Sequence, residues 1–135
     1  MPTERKVKVT LEAVVSPSED AEKVIDAMRK ILGGSHAQAS VNGGVARLVS
    51  GDTGALDLLR SQLRDRRIRG AARKALLSGL EGGLASVMLN KQAAAVGVIA
   101  LCSSPDQSPL GPIYARFESD EISAVIDWLT AYDSG

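Results

Sequence analysis

The chain has one cysteine, one histidine and four aromatic residues, and each scarcity closes off a class of chemistry. A lone Cys102 forms no internal disulfide, which fits a reducing compartment rather than a disulfide-stapled secreted scaffold. One histidine and one cysteine do not complete a structural zinc site, and no motif joins His36 to Cys102 as a nucleophile and its base. The glycine pairs lack the lysine of a phosphate loop and do not follow the strand, turn and helix order of a dinucleotide site. No metal, cofactor or catalytic residue is therefore expected, and the chain does not read as an enzyme. Long hydrophobic runs are missing too. The longest, Ala93 to Cys102, is far short of the ~20 residues a membrane helix needs. The start, Pro2, Thr3, Glu4, Arg5 and Lys6, lacks the apolar stretch of a signal peptide. A cytoplasmic protein without a membrane partner is expected. The aromatics Tyr114, Phe117, Trp128 and Tyr132 are not grouped as a base-stacking platform, so any nucleic acid bound here is expected to be read by its backbone.

What is present suits one globular domain spanning 1–135. The 135 residues are 44% hydrophobic and 24% charged, enough to bury a core built from Ala, Val, Leu and Ile. The 16 basic and 16 acidic residues cancel, but they are unevenly placed. Arg60 to Lys74 holds seven bases and one acid, Asp65, a surplus of 7 − 1 = 6; the remainder carries 9 − 15 = −6. A positive segment of this kind suits a polyanion such as a nucleic-acid backbone.

Val7, Val9, Leu11, Ala13 and Val15 alternate with mostly polar neighbours, the period of a strand with one buried face. Ser16, Pro17, Ser18 and Glu19 then form a capping box with proline at the first helical position. The helix that follows carries the stripe Ala21, Val24, Ile25, Met28, Ile31 and Leu32 and stops at Gly33 and Gly34. Asn42, Gly43 and Gly44 predict a hairpin between strands at 36–41 and 45–49. Asp52 or Thr53 caps a helix that places Leu56, Leu59 and Leu63 on one face, and Gly70 separates it from a second segment reaching about Leu80. Gly82 and Gly83 close the helical region. Strands are expected at 84–89, 95–101 and 113–117, then a helix capped by Ser119 with the stripe Ile122, Val125, Ile126 and Leu129. Strands interrupted by amphipathic helices give a two-layer α+β domain with helices covering one sheet face.

Several segments resemble a known family. Arg67, Ile68, Ala71, Ala72, Arg73, Leu76, Leu77 and Gly79, then Asn90 to Ala94 with Val96 and Gly97, then Ser108 to Ile113, and finally Asp127, Trp128 and Leu129 occur in this order in the archaeal uncharacterised protein family 0201. The resemblance covers nearly the whole chain. It implies the fold of large-subunit ribosomal protein five, a mixed sheet backed by helices and often associated with RNA. The chain departs from the family pattern at Ala95, where an aromatic is usual, at Val98, where a base is usual, and at Arg69 and Gly70, which replace an apolar and acidic pair.

In a regular helix Arg60, Arg64 and Arg67 form one row, and Arg66, Arg69 and Arg73 another. Guanidinium forks match phosphate oxygens, so such rows suit a backbone; a solvated or dimer-facing helix is the alternative. Asn90, Lys91 and Gln92 gather three hydrogen-bonding side chains before an apolar stretch, either to contact phosphate, sugar or base edges or, in the alternative, with Asn90 bonding its own turn and Lys91 simply exposed. Ser108 to Pro112 reads as a rigid turn. The expected function is a non-enzymatic RNA-binding module using Arg64, Arg66, Arg67, Arg69, Arg73, Lys74 and Lys91, assisted by Asn90 and Gln92. The alternative is a structural homodimer whose basic helix meets Glu118, Asp120 and Glu121 of a partner.

Overall fold

The computed structural model describes residues 7–32, 37–51, 54, 56–65 and 67–130. In chain order these form β1 (Lys8–Val14), α1 (Ala21–Ile31), β2 (Gln38–Asn42), β3 (Val45–Ser50), α2 (Leu56–Asp65), α3 (Arg69–Ser78), β4 (Leu84–Leu89), α4 (Lys91–Ala95), β5 (Leu101–Cys102), β6 (Ile113–Glu118) and α5 (Ile122–Leu129). The strands make one sheet in the order β2-β3-β1-β6-β4-β5.

The architecture is the expected α+β two-layer one. Its sheet is not mixed, however: among the described residues every pairing is antiparallel. A parallel pair needs a crossover of a dozen or more residues between its strands. Here the sequential neighbours are joined by a two-glycine turn, between β2 and β3, or by the short α4 connection, between β4 and β5.

Alternation does most of the construction. Val9, Leu11 and Ala13 of β1, Ala46 and Leu48 of β3, Ala85 and Leu89 of β4, and Ile113, Ala115 and Phe117 of β6 are all buried on the helix-covered face. Against them pack Val24, Ala27, Met28 and Ile31 of α1, Leu56, Leu59 and Leu63 of α2, Ala72 and Leu76 of α3, and the α5 stripe Ile122, Val125, Ile126 and Leu129. Phe117 is the one aromatic among the largest fully buried side chains, so the core is essentially aliphatic. Gly43 and Gly44, at φ of 57° and 78°, supply the two left-handed residues that a tight hairpin of this hand requires.

Several boundaries differ from expectation. Helix α1 begins after Asp20, whose carboxylate accepts the Glu22 N–H at 2.9 Å. Ser16 to Glu19 is instead a closed turn, with Pro17 at its second position and the Glu19 N–H bonded to the Ser16 carbonyl at 2.9 Å. Half of the capping box survives, because Glu19 Oε1 accepts the Ser16 N–H at 2.9 Å. The Ser16 hydroxyl, though, meets Ser18 and caps no helix. The expected strand 95–101 shrinks to β5, since Asn90 Oδ1 accepts the Ala93 N–H at 2.8 Å and starts α4 on an alanine run of high helix propensity. Ser119 bonds the Glu121 N–H and caps the turn before α5 rather than α5 itself. The Gly33–Gly34 stop, His36 and the Asp52 or Thr53 cap lie outside the described residues.

Candidate nucleic-acid interface

The break in the basic segment falls at Arg67, three residues before Gly70. The Ile68 N–H bonds the Leu63 carbonyl and the Arg67 N–H bonds the Arg64 carbonyl, both at 3.1 Å. This is the bond pair that closes a helix on a left-handed residue, and that residue is Arg67, at φ 57°. The two arginine rows therefore do not continue through one helix. They meet at a corner with Arg67 exposed on it. Just beyond, α3 opens on Arg69, Gly70 and Ala71 with no capping side chain at Ile68 and no acid in its first turn. The first turn of α3 therefore supplies no side chain of its own to offset the positive end of the helix dipole. Lys74 lies exposed one turn further on.

Other members of the segment are committed within the chain. Arg60 Nε donates to the Trp128 carbonyl at 2.8 Å while its guanidinium lies 5.1 Å from the indole centroid. Arg73 Nη1 donates to Asp127 Oδ1 at 2.7 Å and approaches the Thr130 hydroxyl at 3.4 Å. Both tie α2 and α3 to α5. Arg64 Nε stands 3.8 Å from the Asp65 carboxylate, and Arg69 is half-buried. Arg66 lies outside the described residues.

Asn90, Lys91 and Gln92 occupy a different part of the molecule and hold the fold together. Lys91 is buried at 4% exposure. Its ammonium donates to the Val14 carbonyl at 2.7 Å, to the Leu110 carbonyl at 2.8 Å and to Glu19 at 3.0 and 3.2 Å. All three protons are used, so this side chain is a lock joining β1, the turn before α1 and the 108–112 loop. It is not a surface contact. Asn90 caps α4, and Gln92 Nε2 donates to the Pro109 carbonyl at 2.8 Å. The buried Ser108 hydroxyl accepts the Lys91 N–H and lies 2.9 Å from the Gly111 carbonyl. Together they fix the loop in which Leu110 and Gly111 adopt φ of 66° and 91°. Burial pushes the Glu19 carboxyl upward, but the Ser16 N–H and the Lys91 ammonium outweigh it and hold the group below its ordinary value.

The helix-free face of the sheet carries a cluster that local sequence patterns missed. Glu12, on the central strand, accepts Arg47 Nε at 2.6 Å from β3 and lies 3.4 Å from Arg116 Nη2 of β6. All three occupy outward positions of predicted strands, but only the sheet register brings them together. Cys102 is buried, which raises its thiol above the ordinary value and disfavours the nucleophilic thiolate. Among the described residues no cluster of His, Cys, Asp and Glu is arranged to hold a metal ion, and no helix is long and apolar enough to cross a membrane.

Known proteins agree with this framework. A family model described as RNA binding matches residues 8–119. A UPF0201 protein of Sulfurisphaera tokodaii is 41% identical over 125 residues, covering 91% of this chain and 86% of its own length. One from Aeropyrum pernix is 38% identical over 130 residues, covering 94% and 87%. Among solved structures, the UPF0201 protein of Methanococcus jannaschii superposes with a TM-score of 0.75 at 26% identity over 95% of this chain and 96% of that one. Another uncharacterised UPF0201 protein gives 0.78 at 26% identity, covering 93% and 94%. Sequence, fold and the span of the family model converge: this chain belongs to the UPF0201 family, whose model is described as RNA binding.

Proposed function

We propose that this protein is a non-enzymatic cytoplasmic module that binds RNA by its sugar–phosphate backbone at the α2–α3 corner. The observation that carries the reading is the uncapped start of α3, with no acid in its first turn, in a stretch of chain that holds Arg67, Arg69 and Lys74. Arg64 and Arg66 extend the same charged segment. Gly70 adds access, since nothing lies within 4 Å of where its Cβ would stand. Guanidinium and ammonium groups beside exposed helix N–H donors suit phosphate oxygens, and the description of the matching family model points to the same class of ligand. Arg73 is paired with Asp127, and Lys91, Asn90 and Gln92 make internal bonds, so these four are left out of the proposed contact set.

The test is a filter-binding titration of a short RNA across salt concentrations. Neutralising phosphates releases counterions, so affinity should fall linearly on logarithmic axes. Replacing Arg67, Arg69 and Lys74 together by Gln should flatten that slope by roughly two to three units for every RNA sequence alike. If wild-type protein shows no salt-dependent binding to any RNA, the reading is wrong.

A homodimer is the second reading, and one feature favours it at a different surface. All five residues of β2, Gln38–Asn42, are exposed, and among the described residues the strand pairs only with β3. An uncharged edge strand of this kind is a template for pairing with a second copy. Sedimentation at several protein concentrations decides it, with Val41→Lys expected to keep the protein monomeric.

A further inference from the structure

A groove of about 820 Å³ runs along the outer edge of β4. One wall is the outward side of α3, with Lys74, Ala75 and Ser78; the other is the loop after β5, with Ser103 and Gln107; Met88 and Tyr114 line it from the sheet. Lys74 belongs both to this groove and to the basic corner, so the two surfaces are continuous.

The strand edge inside the groove is incomplete at one residue. Gly83 turns its carbonyl toward the β6 side, where it accepts the Ser119 N–H at 2.9 Å. In an antiparallel ladder the peptide groups of alternate residues point to opposite sides, so Leu84, Ser86, Met88 and Asn90 face outward. Leu84 exchanges bonds with Glu81 at 2.9 and 3.1 Å, Met88 pairs with Cys102 of β5, and the Asn90 N–H bonds the Ala100 carbonyl at 2.8 Å. Ser86 alone of the four keeps an N–H and a carbonyl with no partner among the described residues. Its carbonyl lies 3.5 Å from where a Cβ on Gly79 would stand, which places it against the α3 wall. One donor beside one acceptor is too little to receive another strand, which needs bonds at successive alternate residues, but it matches the edge of a nucleobase. The loop wall is braced as well: Gln107 accepts the Ser103 N–H and Asp106 accepts the Ser104 hydroxyl, both at 2.6 Å.

Resting on the RNA-binding reading above, we propose that this groove receives one unstacked base of a single-stranded RNA, with its edge on the Ser86 N–H and carbonyl, its ring against Tyr114 and Met88, and its phosphate near Lys74. Sequence order keeps the aromatics apart, but the register sets Tyr114 opposite Met88 at the groove, 37% exposed. The backbone surface and the base pocket are then two parts of one site.

The experiment compares fluorescein-labelled eight-nucleotide RNAs, oligo(A) and oligo(U), with an abasic ribose-phosphate oligomer of equal length, by anisotropy at fixed salt. Wild-type protein should bind the better of the base-bearing RNAs about 5- to 150-fold more tightly than the abasic one, the range of a lost stacking contact. Ala75→Leu, which fills the groove without changing charge, should bind all three alike while keeping the wild-type salt slope. Tyr114→Leu should reduce the same discrimination, and a thermal melt of each variant establishes that it is folded. Equal binding of abasic and base-bearing RNA by wild type overturns the base pocket and leaves the backbone reading standing. Undiminished discrimination in folded Ala75→Leu also overturns it, because the bases are then read elsewhere. Failure of every oligomer to bind removes both.

Discussion

Lys91→Met should be among the most damaging single changes in this protein, although it alters little volume. Methionine matches the lysine stem and leaves no large cavity, so the effect isolates the lost ammonium. Three acceptors are stranded by it: the carbonyls of Val14 and Leu110, and Glu19, whose side chain is only 13% exposed. Removing one partner of a buried pair costs about 3–5 kcal/mol, mostly through the charge left behind. At about 2.1 cal/mol/K of unfolding entropy per residue, 135 residues give about 0.28 kcal/mol/K, so the melting temperature should fall by about 11–18 °C. Thermal and urea denaturation followed by circular dichroism measure this, and adding Glu19→Gln to Lys91→Met should recover part of the loss. The pH dependence follows from the depressed Glu19 carboxyl. A depressed acid contributes stability that is present above its unfolded value, near 4.5, and lost as pH falls through the lower folded value. The gap between wild type and Lys91→Met should therefore narrow below about pH 4.5, where protonated Glu19 no longer demands a cation. A loss under about 1 kcal/mol at pH 7, or a gap that widens in acid, would refute the lock.

Three further outcomes are expected. Gly83→Ala should destabilise by about 1–3 kcal/mol in urea titrations, because its Cβ would stand 2.7 Å from the Ser119 carbonyl oxygen, a backbone atom with little room to move. Arg67→Gly should leave stability unchanged or raise it by up to about 1 kcal/mol, the relief of a left-handed non-glycine residue slightly exceeding the extra freedom of unfolded glycine; a clear loss would mean that the arginine side chain stabilises the corner. Cys102 should label slowly with a thiol reagent in native protein and rapidly in urea, since it is buried and its thiol is raised; fast native labelling would contradict that packing.

What could be read in the sequence was what depends on neighbours within a few residues. The hairpin at Gly43 and Gly44, the leucine face of α2 and the apolar stripe of α5 are each set by a local period or a glycine requirement. The 93–102 stretch was ambiguous for a physical reason: short apolar runs suit a buried strand or a buried helix equally, and here the Asn90 cap decides. The same limit governed the candidate site. Nothing beside Lys91 shows that Glu19, 72 residues earlier, will neutralise it, so a buried structural lysine and an exposed phosphate contact look alike in sequence. The acid-poor segment 60–74 was evident, but the partners that draw Arg60 and Arg73 inward lie on α5, and only the packed helices supply them.

The strand order also bears on how the protein is made. β1 is made before the other strands described yet sits inside the sheet, and one of its neighbours, β6, is the last of those strands to be made. At about 5–20 residues per second, the interval between β1 and β6 is on the order of 5–20 s, during which the hairpin can cover one side of β1 but nothing native covers the other. A nascent chain thus carries an unpaired edge on β1 until β6 is made, so translation speed and chaperone access while residues 51–112 are being synthesised bear on yield independently of the stability of the finished fold.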